Sequence, residues 1–585
     1  MNPISFKIID RKIVIKSKGR MCETAEELMS SSLFVEMLKR TIDSLLIRRS
    51  LLLNIFGVEG PNKKNVELLK RTLAFLCKMP GNLIPKVVNG SEIFFHNPSL
   101  FNEFVEYLYN FWRSFDRFII CDSEGDTLDK RPYRTFNDTI EKLTHLVRAT
   151  YRDLQENITE KHPQIYRQVR AGAEIAAIAL LRKTLHLMKP YEKLNSILMI
   201  RQILLYPPLV LNPTMNKRTG RFEKIDQNPL TSVDINEEEW LCYPARVGPL
   251  LIFIYFHERF FELGFALCNL FELADDECLQ KRPDAIYAFG VPGSDLDNYA
   301  TFPTVFFDDV DNDILVAAVP NRDEFGYFGY LKKMVLTLHN IKMMKQGRFP
   351  FHGALVNIIL KDGRDATVLL IGDTGAGKSE TLEAFRVLGK EYIREMIVIA
   401  DDMGSLEIGY NGEIIGYGTE IGAFLRLDDL QPGYAFGQID RSIFMSPSQV
   451  NARIVLPVTT FDNVIKGYEI NFICYANNYE EVDEEHPIIE KFNSSEHALR
   501  IFREGAVMSK GTTTSQGLMH SYFANIFGPP QYKEMHDKLA LQYFNAFYNN
   551  NVFVGQLRTR LGIPGYEIKG PELAAKELFK LLSSS

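Results

Sequence analysis

The sequence predicts a mixed α/β fold, and three observations support this prediction. Residues 25–48 and 136–204 carry apolar side chains at intervals of three and four residues, with few glycines, which is typical of amphipathic helices. Beyond residue 300, short apolar runs that end in Gly or Asp alternate with helical stretches, which is the pattern of α/β domains. The segment Gly372–Ser379 (GDTGAGKS) lies between one such run and a helix, and its pattern predicts a phosphate-binding loop.

Changes in amino-acid composition and in the pattern of apolar residues divide the chain of 585 residues into parts. Residues 205–248 are rich in Pro, Asn, Thr and Arg and predict a loop-heavy boundary. We therefore expect a large, helix-rich N-terminal α/β lobe over 1–230, a middle segment over 231–340 and a nucleotide-binding domain with a mixed sheet over 341–585. The apolar segment 249–271 has too many charges at its centre for a membrane span, and it predicts a buried helix pair or a helix–strand unit.

The composition bears on partners and compartment. The chain has 67 basic and 74 acidic residues, so its formal net charge is −7, and no block of Lys and Arg indicates a nucleic-acid partner. The seven cysteines are odd in number and never take CxxC spacing, and Asp10, Arg11 and Lys12 interrupt any early apolar run. These features predict a cytoplasmic protein with no membrane partner. The sequence leaves the oligomeric state open.

The residues around the loop indicate how it would hold phosphate. Thr367–Ile371 is an apolar, β-branched run that predicts a buried strand, and the helix Ser379–Val387 would direct its positive dipole end at the loop. In this motif Lys378 reaches the β- and γ-phosphates, and the Ser379 hydroxyl binds a divalent cation. The predicted nucleotide-binding residues of the loop are Gly372, Asp373, Thr374, Gly375, Ala376, Gly377, Lys378, Ser379 and Glu380.

Carboxylates follow the next predicted strand. Met396–Ala400 is a second buried apolar run, and Asp401 and Asp402 come directly after it. Carboxylates at such a strand end beside a phosphate loop commonly bind a metal ion, although a helix cap or a turn is the structural alternative. Upstream, the strand Ala354–Leu360 and the turn 361–365 predict an antiparallel hairpin with the strand of the loop.

Four motifs show a family resemblance. The segment Phe351–Val356 (FHGALV), the loop with its following glutamate, and Ala400–Asp402 resemble HPr kinase. Tyr327–Lys333 (YFGYLKK) resembles the Tyr-Gly-Gly-Glu-Met-Lys-Lys segment of ATP-dependent phosphoenolpyruvate carboxykinase, and its second lysine lies 19 residues before His352, as in that family. The chain thus resembles the phosphoenolpyruvate carboxykinase and HPr kinase superfamily, and over about residues 300–585 it is most similar to the carboxykinase branch.

Further segments extend the resemblance. Glu420–Arg426 is similar to a segment that ends in a nucleotide-contacting lysine, and Asn451–Arg453 to an Asn-x-Arg motif whose arginine bridges phosphoryl group and substrate. Thr219–Arg221 resembles the first three residues of a Thr-Gly-Arg-Ser-Pro segment, whose arginine binds the substrate carboxylate in that family. Gly511–Ser515 stands where the family has Gly-Thr-Glu-Arg-Gly, so that an arginine is replaced by threonine.

The resemblance implies a reaction and a residue set. Carboxykinases convert oxaloacetate, a small carboxylate, and a nucleoside triphosphate to phosphoenolpyruvate, carbon dioxide and the diphosphate; the donor here stays open between ATP, GTP and pyrophosphate. Mn²⁺ would be held by Lys333, His352 and Asp402, with Asp401 sharing this role, and Mg²⁺ by Ser379 and the phosphates. The implied catalytic residues are Lys332, Arg453, Tyr327 and Arg221, and Arg426 would contact the nucleotide.

Two other functions remain open at this point. One is a kinase of the HPr-kinase kind, acting on a hydroxyl group of a protein or small molecule, with Asp401 or Asp402 as general base. The other is a non-catalytic nucleotide sensor whose N-terminal region carries the output. The sequence does not decide between them and the carboxykinase.

Overall fold

The structure is a computed structural model that describes residues 4–18, 21–122, 132–182, 186–300, 302–389, 392–427, 430, 439–510 and 516–584. It confirms the mixed α/β class. The chain forms two compact units, the first comprising residues 1–180 and 200–206 and the second residues 181–199 and 207–585. The second unit contains both the predicted middle segment and the predicted nucleotide-binding domain, and the three-part division stays a prediction.

The first unit combines a small sheet with helices. Strand β1 pairs antiparallel with β2, and β2, β3 and β4 pair in parallel. The strands are β1 (Ile4–Ile9), β2 (Lys12–Ser17), β3 (Asp116–Cys121), β4 (Ile175–Leu180) and residues 200–205 of β5 (Leu198–Leu205). The helices are α1 (Ala25–Ser30), α2 (Ser32–Ile47), α3 (Lys63–Leu76), α4 (Ile84–Val87), α5 (Glu92–Phe95), α6 (Pro98–Arg113) and α7 (Pro132–Thr159).

Sequence patterns account for some of these elements and not for others. The helical pattern over 25–48 is confirmed, and side-chain caps from Thr24 and Ser31 begin α1 and α2. The predicted helix over 136–204 is wrong beyond Thr159, because residues 175–180 and 198–205 are strands. Strand β4 is buried at every position, and a continuous apolar run of that kind has no periodicity that separates strand from helix.

The first part of the second unit contains a mixed sheet in the order β8-β9-β11-β13-β12-β7, with β10 paired to β8. Strand β9 and the helix that follows it cover the apolar segment 249–271, so the helix–strand alternative is correct. The predicted loop region 205–248 includes three strands. The elements are β6 (Leu209–Leu211), β7 (Phe222–Ile225), β8 (Trp240–Val247), β9 (Leu250–His257), α8 (Phe261–Ala266), β10 (Glu272–Leu273), β11 (Ala285–Val291), β12 (Thr304–Asp309), β13 (Ile314–Pro320) and α9 (Phe328–Lys345).

A second sheet of this unit carries the loop. Its order is β22-β18-β17-β14-β15-β23-β27-β24, with β16 paired to β14. Strand β14 pairs antiparallel with β15, which confirms the predicted hairpin, while β15, β23 and β27 pair in parallel. The strands are β14 (Phe349–Leu360), β15 (Asp365–Ile371), β16 (Ile393–Ala400), β17 (Met403–Ile408), β18 (Ile414–Gly418), β22 (Tyr468–Glu469), β23 (Phe472–Asn477), β24 (Ile489–Lys491) and β27 (Phe553–Arg558).

The remaining elements surround this sheet. A smaller sheet has the order β19-β21-β20-β6, and β25 and β26 form a hairpin. These strands are β19 (Gly422–Arg426), β20 (Ile443–Met445), β21 (Arg453–Pro457), β25 (Ala506–Lys510) and β26 (Gln516–His520), and the helices are α10 (Lys378–Leu388), α11 (Phe461–Ile465), α12 (Ser495–Glu504), α13 (Lys533–Asn549) and α14 (Lys569–Ser584). Among the described residues, no helix combines the length and the apolar character needed to cross a bilayer.

Candidate functional site

The loop between β15 and α10 has the backbone that its glycines allow. Gly375 and Gly377 adopt left-handed conformations with φ of 81° and 90°, which L-residues with a side chain rarely take. A Cβ atom on Gly377 would lie 2.5 Å from Oγ1 of Thr559, so this position also excludes a side chain by contact. The predicted order of strand, loop and helix is confirmed.

Two polar side chains that the sequence reasoning missed hold this loop in place. Oγ1 of Thr559 donates a hydrogen bond to the Ala376 carbonyl at 2.7 Å, and Nδ2 of Asn478 donates one to the Gly375 carbonyl at 2.9 Å. Asn478 directly follows β23, which pairs in parallel with β15, and Thr559 directly follows β27, which pairs in parallel with β23. Because the carboxyl ends of parallel strands meet at one sheet edge, polar residues after β23 and β27 were a usable signal.

Lys378 points back into its own loop. Its Nζ donates to the carbonyl oxygens of Gly372 at 2.6 Å and Asp373 at 3.0 Å. The residue is 7% exposed, and burial lowers the pKa of its ammonium group. Ser379 and Glu380 lie in the first turn of α10, at the helix end that attracts anions.

His352 and Asp402 come together across two neighbouring segments. His352 lies in β14, and its Nε2 is 3.0 Å from Oδ1 of Asp402, which follows β16. The other ring nitrogen, Nδ1, contacts the carbonyl oxygen of Ala524. Since a carbonyl oxygen only accepts, Nδ1 carries the hydrogen. The Nε2 lone pair and a carboxylate oxygen then face each other, an arrangement that calls for a shared proton or cation.

The segment that supplies the Ala524 carbonyl has an unusual backbone. Phe523, Ala524 and Asn525 have φ of 43°, 56° and 60°, and such a left-handed run of non-glycine residues is costly. The Ala524 amide donates to the Ser521 carbonyl at 3.0 Å, and the ring of Phe523 packs edge-on against that of Phe349 in β14. The strained segment is thus held against the strand that carries His352.

Two lysines at the start of α9 have opposite properties. Nζ of Lys332 lies 2.6 Å from Oδ2 of Asp402 and 3.3 Å from Oε1 of Glu420. Burial opposes charge on Lys332, but the two carboxylates outweigh it and raise its pKa. Although burial disfavours the charged form of Asp402 as well, Lys332 and His352 lower the pKa of that carboxyl. Burial raises the pKa of Glu420 to about 7.

Lys333 is the lysine predicted to bind a metal ion. Burial, together with the positive charge of Arg218, lowers the pKa of Lys333 to about 8, while Asp402 acts in the opposite sense. Its Nζ lies 4.8 Å from the ring centroid of Phe527. A lysine amine binds a metal only when it is deprotonated, and the lowered pKa makes deprotonation of Lys333 easier than that of an exposed lysine.

Arg218, and not the predicted Arg221, lies close enough to Lys333 to affect its pKa. Burial lowers the pKa of the Arg218 guanidinium, and Tyr330 and Tyr327 lie close enough to affect it. The hydroxyl of Tyr330 fixes this segment, because it accepts from the Thr219 amide at 2.7 Å and donates to the Thr219 carbonyl at 2.9 Å. The side chain of Arg221 is exposed. The sequence-based choice of Arg221 relied on a match of only three residues, Thr219–Arg221. Such a short match does not distinguish Arg221 from Arg218.

The other predicted catalytic residues also gather here. The Arg453 guanidinium lies 5.3 Å from the ring centroid of Phe424, and the ring of Tyr327 lies 5.9 Å from the same ring. Arg426 is buried and opposes Arg453 in the β19–β21 pair. Burial raises the pKa of Tyr327, which the neighbouring Arg453 partly offsets.

Asp401 is the other carboxylate that follows β16. Burial raises the pKa of Asp401 to about 6, and the positive charges of Lys332 and Lys378 act against this rise. Gly511–Ser515, the segment that departs from the family pattern, lies outside the described residues. In the part of the chain that the structure describes, no three His, Cys, Asp or Glu side chains converge as a metal-binding group; the predicted metal set includes a lysine.

Comparison with known proteins adds no family assignment. The chain matches no protein-family model and no curated protein sequence. The family resemblance therefore stays a prediction from motifs.

Proposed function

We propose that the protein is a cytoplasmic, metal-dependent phosphoryl-transfer enzyme of the phosphoenolpyruvate carboxykinase type. The observation that carries the proposal is the contact of His352 with Asp402, whose carboxylate also binds Lys332, in the same unit as the phosphate loop. In this proposal residues 341–585 form the carboxykinase-like domain. The middle segment 231–340 contributes the two lysines of α9 to the site, and 1–230 is the helix-rich lobe.

The residues fit a divalent transition metal such as Mn²⁺. His352 presents its Nε2 towards a carboxylate oxygen, and Lys333 has a lowered pKa, so an imidazole, a carboxylate and an amine are available as ligands. When bound, the metal would act as a Lewis acid towards substrate oxygens. Asp401 is an alternative ligand, and the Ser379 hydroxyl would hold Mg²⁺ together with the phosphates.

The charges of the site fit two anionic substrates. Lys378 would hold the β- and γ-phosphates of the donor, and Lys332, Arg426 and Arg453 would neutralise charge on the transferred group. Arg218, in place of Arg221, would bind the carboxylate of oxaloacetate, next to Tyr327. Such preorganised cations stabilise the phosphoryl transition state without reorganising during the reaction.

A coupled assay tests the proposal. Oxaloacetate, Mn²⁺ and Mg²⁺ are supplied with ATP, GTP or pyrophosphate in turn, and phosphoenolpyruvate is followed. We expect product with one donor, and loss of activity in Lys378→Ala and in His352→Ala. Lys466→Ala, which changes a lysine outside the proposed site, is the control and should stay active. No product with any donor, while nucleotide still binds, would overturn the carboxykinase assignment.

One observation favours a second candidate, a kinase that acts on a hydroxyl group. Asp401 has a pKa raised to about 6, and a carboxylate with such a pKa can act as a general base near neutral pH. Incubation with labelled ATP and cell extract would then yield a phosphorylated acceptor, and Asp401→Asn would abolish the labelling. Nucleotide binding without turnover on any acceptor would indicate a sensor instead.

A further inference from the structure

Arg560 is a buried cation at the sheet edge that carries the phosphate loop. It comes directly after Thr559, whose hydroxyl donates to the Ala376 carbonyl, and these two residues are the first to follow β27. The Arg560 amide faces the carbonyl oxygen of Asn477, the last residue of β23, with N and O 3.4 Å apart. The proposed reaction gives Arg560 no role so far.

The guanidinium of Arg560 has no anionic partner among the described residues. Arg560 is 5% exposed and its Nε is buried without a hydrogen-bond partner. In the part of the chain that the structure describes, no hydrogen bond or ion pair joins this guanidinium to another residue. Its Cζ lies 4.3 Å from the ring centroid of Tyr566. This ring contact orients the side chain, but it supplies no negative charge.

Arg558, two residues earlier, shows how the same segment pairs a buried arginine. It is 1% exposed, and its Nη2 lies 2.8 Å from a carboxylate oxygen of Glu480 and 2.8 Å from one of Glu490. A buried charge without such partners is strongly unfavourable. Arg560 therefore lacks the counter-charge that Arg558 has, and a bound anion would supply it.

Hydrogen bonds tie the segment of Arg560 to the phosphate loop. The Gly562 amide donates to the Asn478 carbonyl at 2.9 Å, and the Asn478 side chain donates to the Gly375 carbonyl at 2.9 Å. Arg560 itself has a left-handed backbone with φ of 54°, which is unfavourable for a residue with a side chain and persists only where the surrounding structure imposes it. The position of this cation is thus set by the same segments that hold the loop.

We infer that Arg560 binds a phosphate group of the ligand that the loop holds. The inference rests on the proposed function, because the loop must hold a phosphate-containing donor. Arginine suits this role, since its planar guanidinium can contact two phosphate oxygens and stays charged. The ligand would then meet cations from two segments, Lys378 after β15 and Arg560 after β27. A nucleoside triphosphate and an inorganic polyphosphate share this chemistry.

Calorimetry on the full chain with Mg²⁺ provides the first measurement. Arg560→Met removes the charge and keeps an unbranched side chain against Tyr566, and we expect it to weaken ATP binding at least 10-fold. Arg560→Lys keeps the charge without the two-point contact and should weaken binding less. Lys569→Met is the control, because it removes an exposed positive charge at the start of α14. It should bind ATP within about 3-fold of the wild type.

Urea unfolding distinguishes a ligand-binding arginine from a structural one. It is followed by the fluorescence of Trp240, which lies in the same unit. Without ligand, Arg560→Met should unfold at a higher urea concentration than the wild type, because a buried and unpaired charge has been removed. Saturating ATP should stabilise the variant less than the wild type. A lower midpoint without ligand would make Arg560 a structural residue and would overturn the inference.

Tripolyphosphate identifies the source of the phosphate group. Equal weakening for ATP and tripolyphosphate in Arg560→Met would support contact with the polyphosphate itself, whereas weakening for ATP alone would support contact with a phosphate that the nucleoside positions. Unchanged ATP binding in Arg560→Met, while Lys378→Ala loses it, would overturn the inference and leave the proposed function standing. A wild type that binds neither ATP nor tripolyphosphate would overturn both.

Discussion

Nε2 of His352 lies 3.0 Å from Oδ1 of Asp402, while Nδ1 of the same ring contacts the carbonyl oxygen of Ala524. The carbonyl therefore determines which ring nitrogen carries a hydrogen. Nε2 is left to face the carboxylate. Metal-binding histidines commonly have their other ring nitrogen fixed by such a hydrogen bond to a carbonyl oxygen. The relationship joins residues from three separate segments of the chain.

The first prediction concerns metal affinity. His352→Ala removes one nitrogen ligand of the proposed metal set, so we expect Mn²⁺ binding, measured by electron paramagnetic resonance, to weaken at least 10-fold. His520→Ala changes a half-exposed histidine and should bind Mn²⁺ as the wild type does. Unchanged binding in His352→Ala would remove His352 from the metal set.

The second prediction concerns the left-handed backbone at Ala524. Ala524→Val places a β-branched residue at φ 56°, so we expect the free energy of unfolding to fall by about 1–2 kcal/mol and Mn²⁺ binding to weaken roughly 10-fold. Ala524→Gly suits this conformation and should unfold at the same or higher urea concentration. Urea unfolding followed at Trp240 measures stability; identical behaviour of both variants would contradict the prediction.

The third prediction concerns the support of the phosphate loop. Thr559→Val removes the hydrogen bond to the Ala376 carbonyl, which is one of the two side-chain hydrogen bonds described above that restrain the loop. We expect calorimetry to show nucleotide binding weakened roughly 10-fold, which corresponds to about 1.4 kcal/mol. Thr72→Val, at a buried threonine of the first unit with an unpartnered hydroxyl, should leave nucleotide affinity as it is.

The fourth prediction separates two arginines. Arg218→Gln should raise KM for oxaloacetate by about 30-fold or more, because loss of a partly buried charge pair costs about 2–5 kcal/mol. Arg221→Gln, at an exposed side chain, should change KM less than about 3-fold. The reverse order would restore the sequence-based choice of Arg221.

The fifth prediction concerns acid stability. Burial lowers the pKa of His339 from 6.5 to about 4, so protonation favours the unfolded state. The contribution of His339 is present above pH 6.5 and is lost as the pH falls towards 4. Such a shift corresponds to roughly 3 kcal/mol.

His339→Gln should therefore flatten the decline of the unfolding free energy between pH 6.5 and 4. The measurement is urea unfolding at a series of pH values, followed by the fluorescence of Trp240 in a Trp112→Phe background. His162→Gln, at an exposed histidine, should retain the slope of the parent protein. Equal slopes in both variants would show that His339 does not control acid stability.

Local signals were sufficient for part of the structure. The strand that enters the phosphate loop, the helix that leaves it, the hairpin with β14 and the strand before Asp401 were all predicted from short, continuous segments of the sequence. In each of these segments the pattern and the turn residues agree. The helix predicted up to residue 204 failed because β4 is apolar throughout and so has no period.

The supports of the site could not be predicted in this way. The hydrogen bond from Thr559 to the loop joins residues 183 positions apart, and that from His352 to Ala524 joins residues 172 apart. No motif spans such distances, and only the pairing of strands brings the segments together. The left-handed conformation of Ala524 has no sequence signal either, since glycine or asparagine would be the expected residue.

The two hydrogen bonds from Lys378 to its own loop affect how an anion would bind. A flexible lysine loses up to about 2 kcal/mol of rotamer entropy when it becomes ordered. Here that loss occurs when the chain folds, so an arriving phosphate meets a cation that is already immobilised. The affinity for phosphate would then depend mainly on how well phosphate oxygens replace the two carbonyl oxygens as hydrogen-bond acceptors of the Lys378 ammonium group. The loss of Lys378 side-chain entropy on binding would be small.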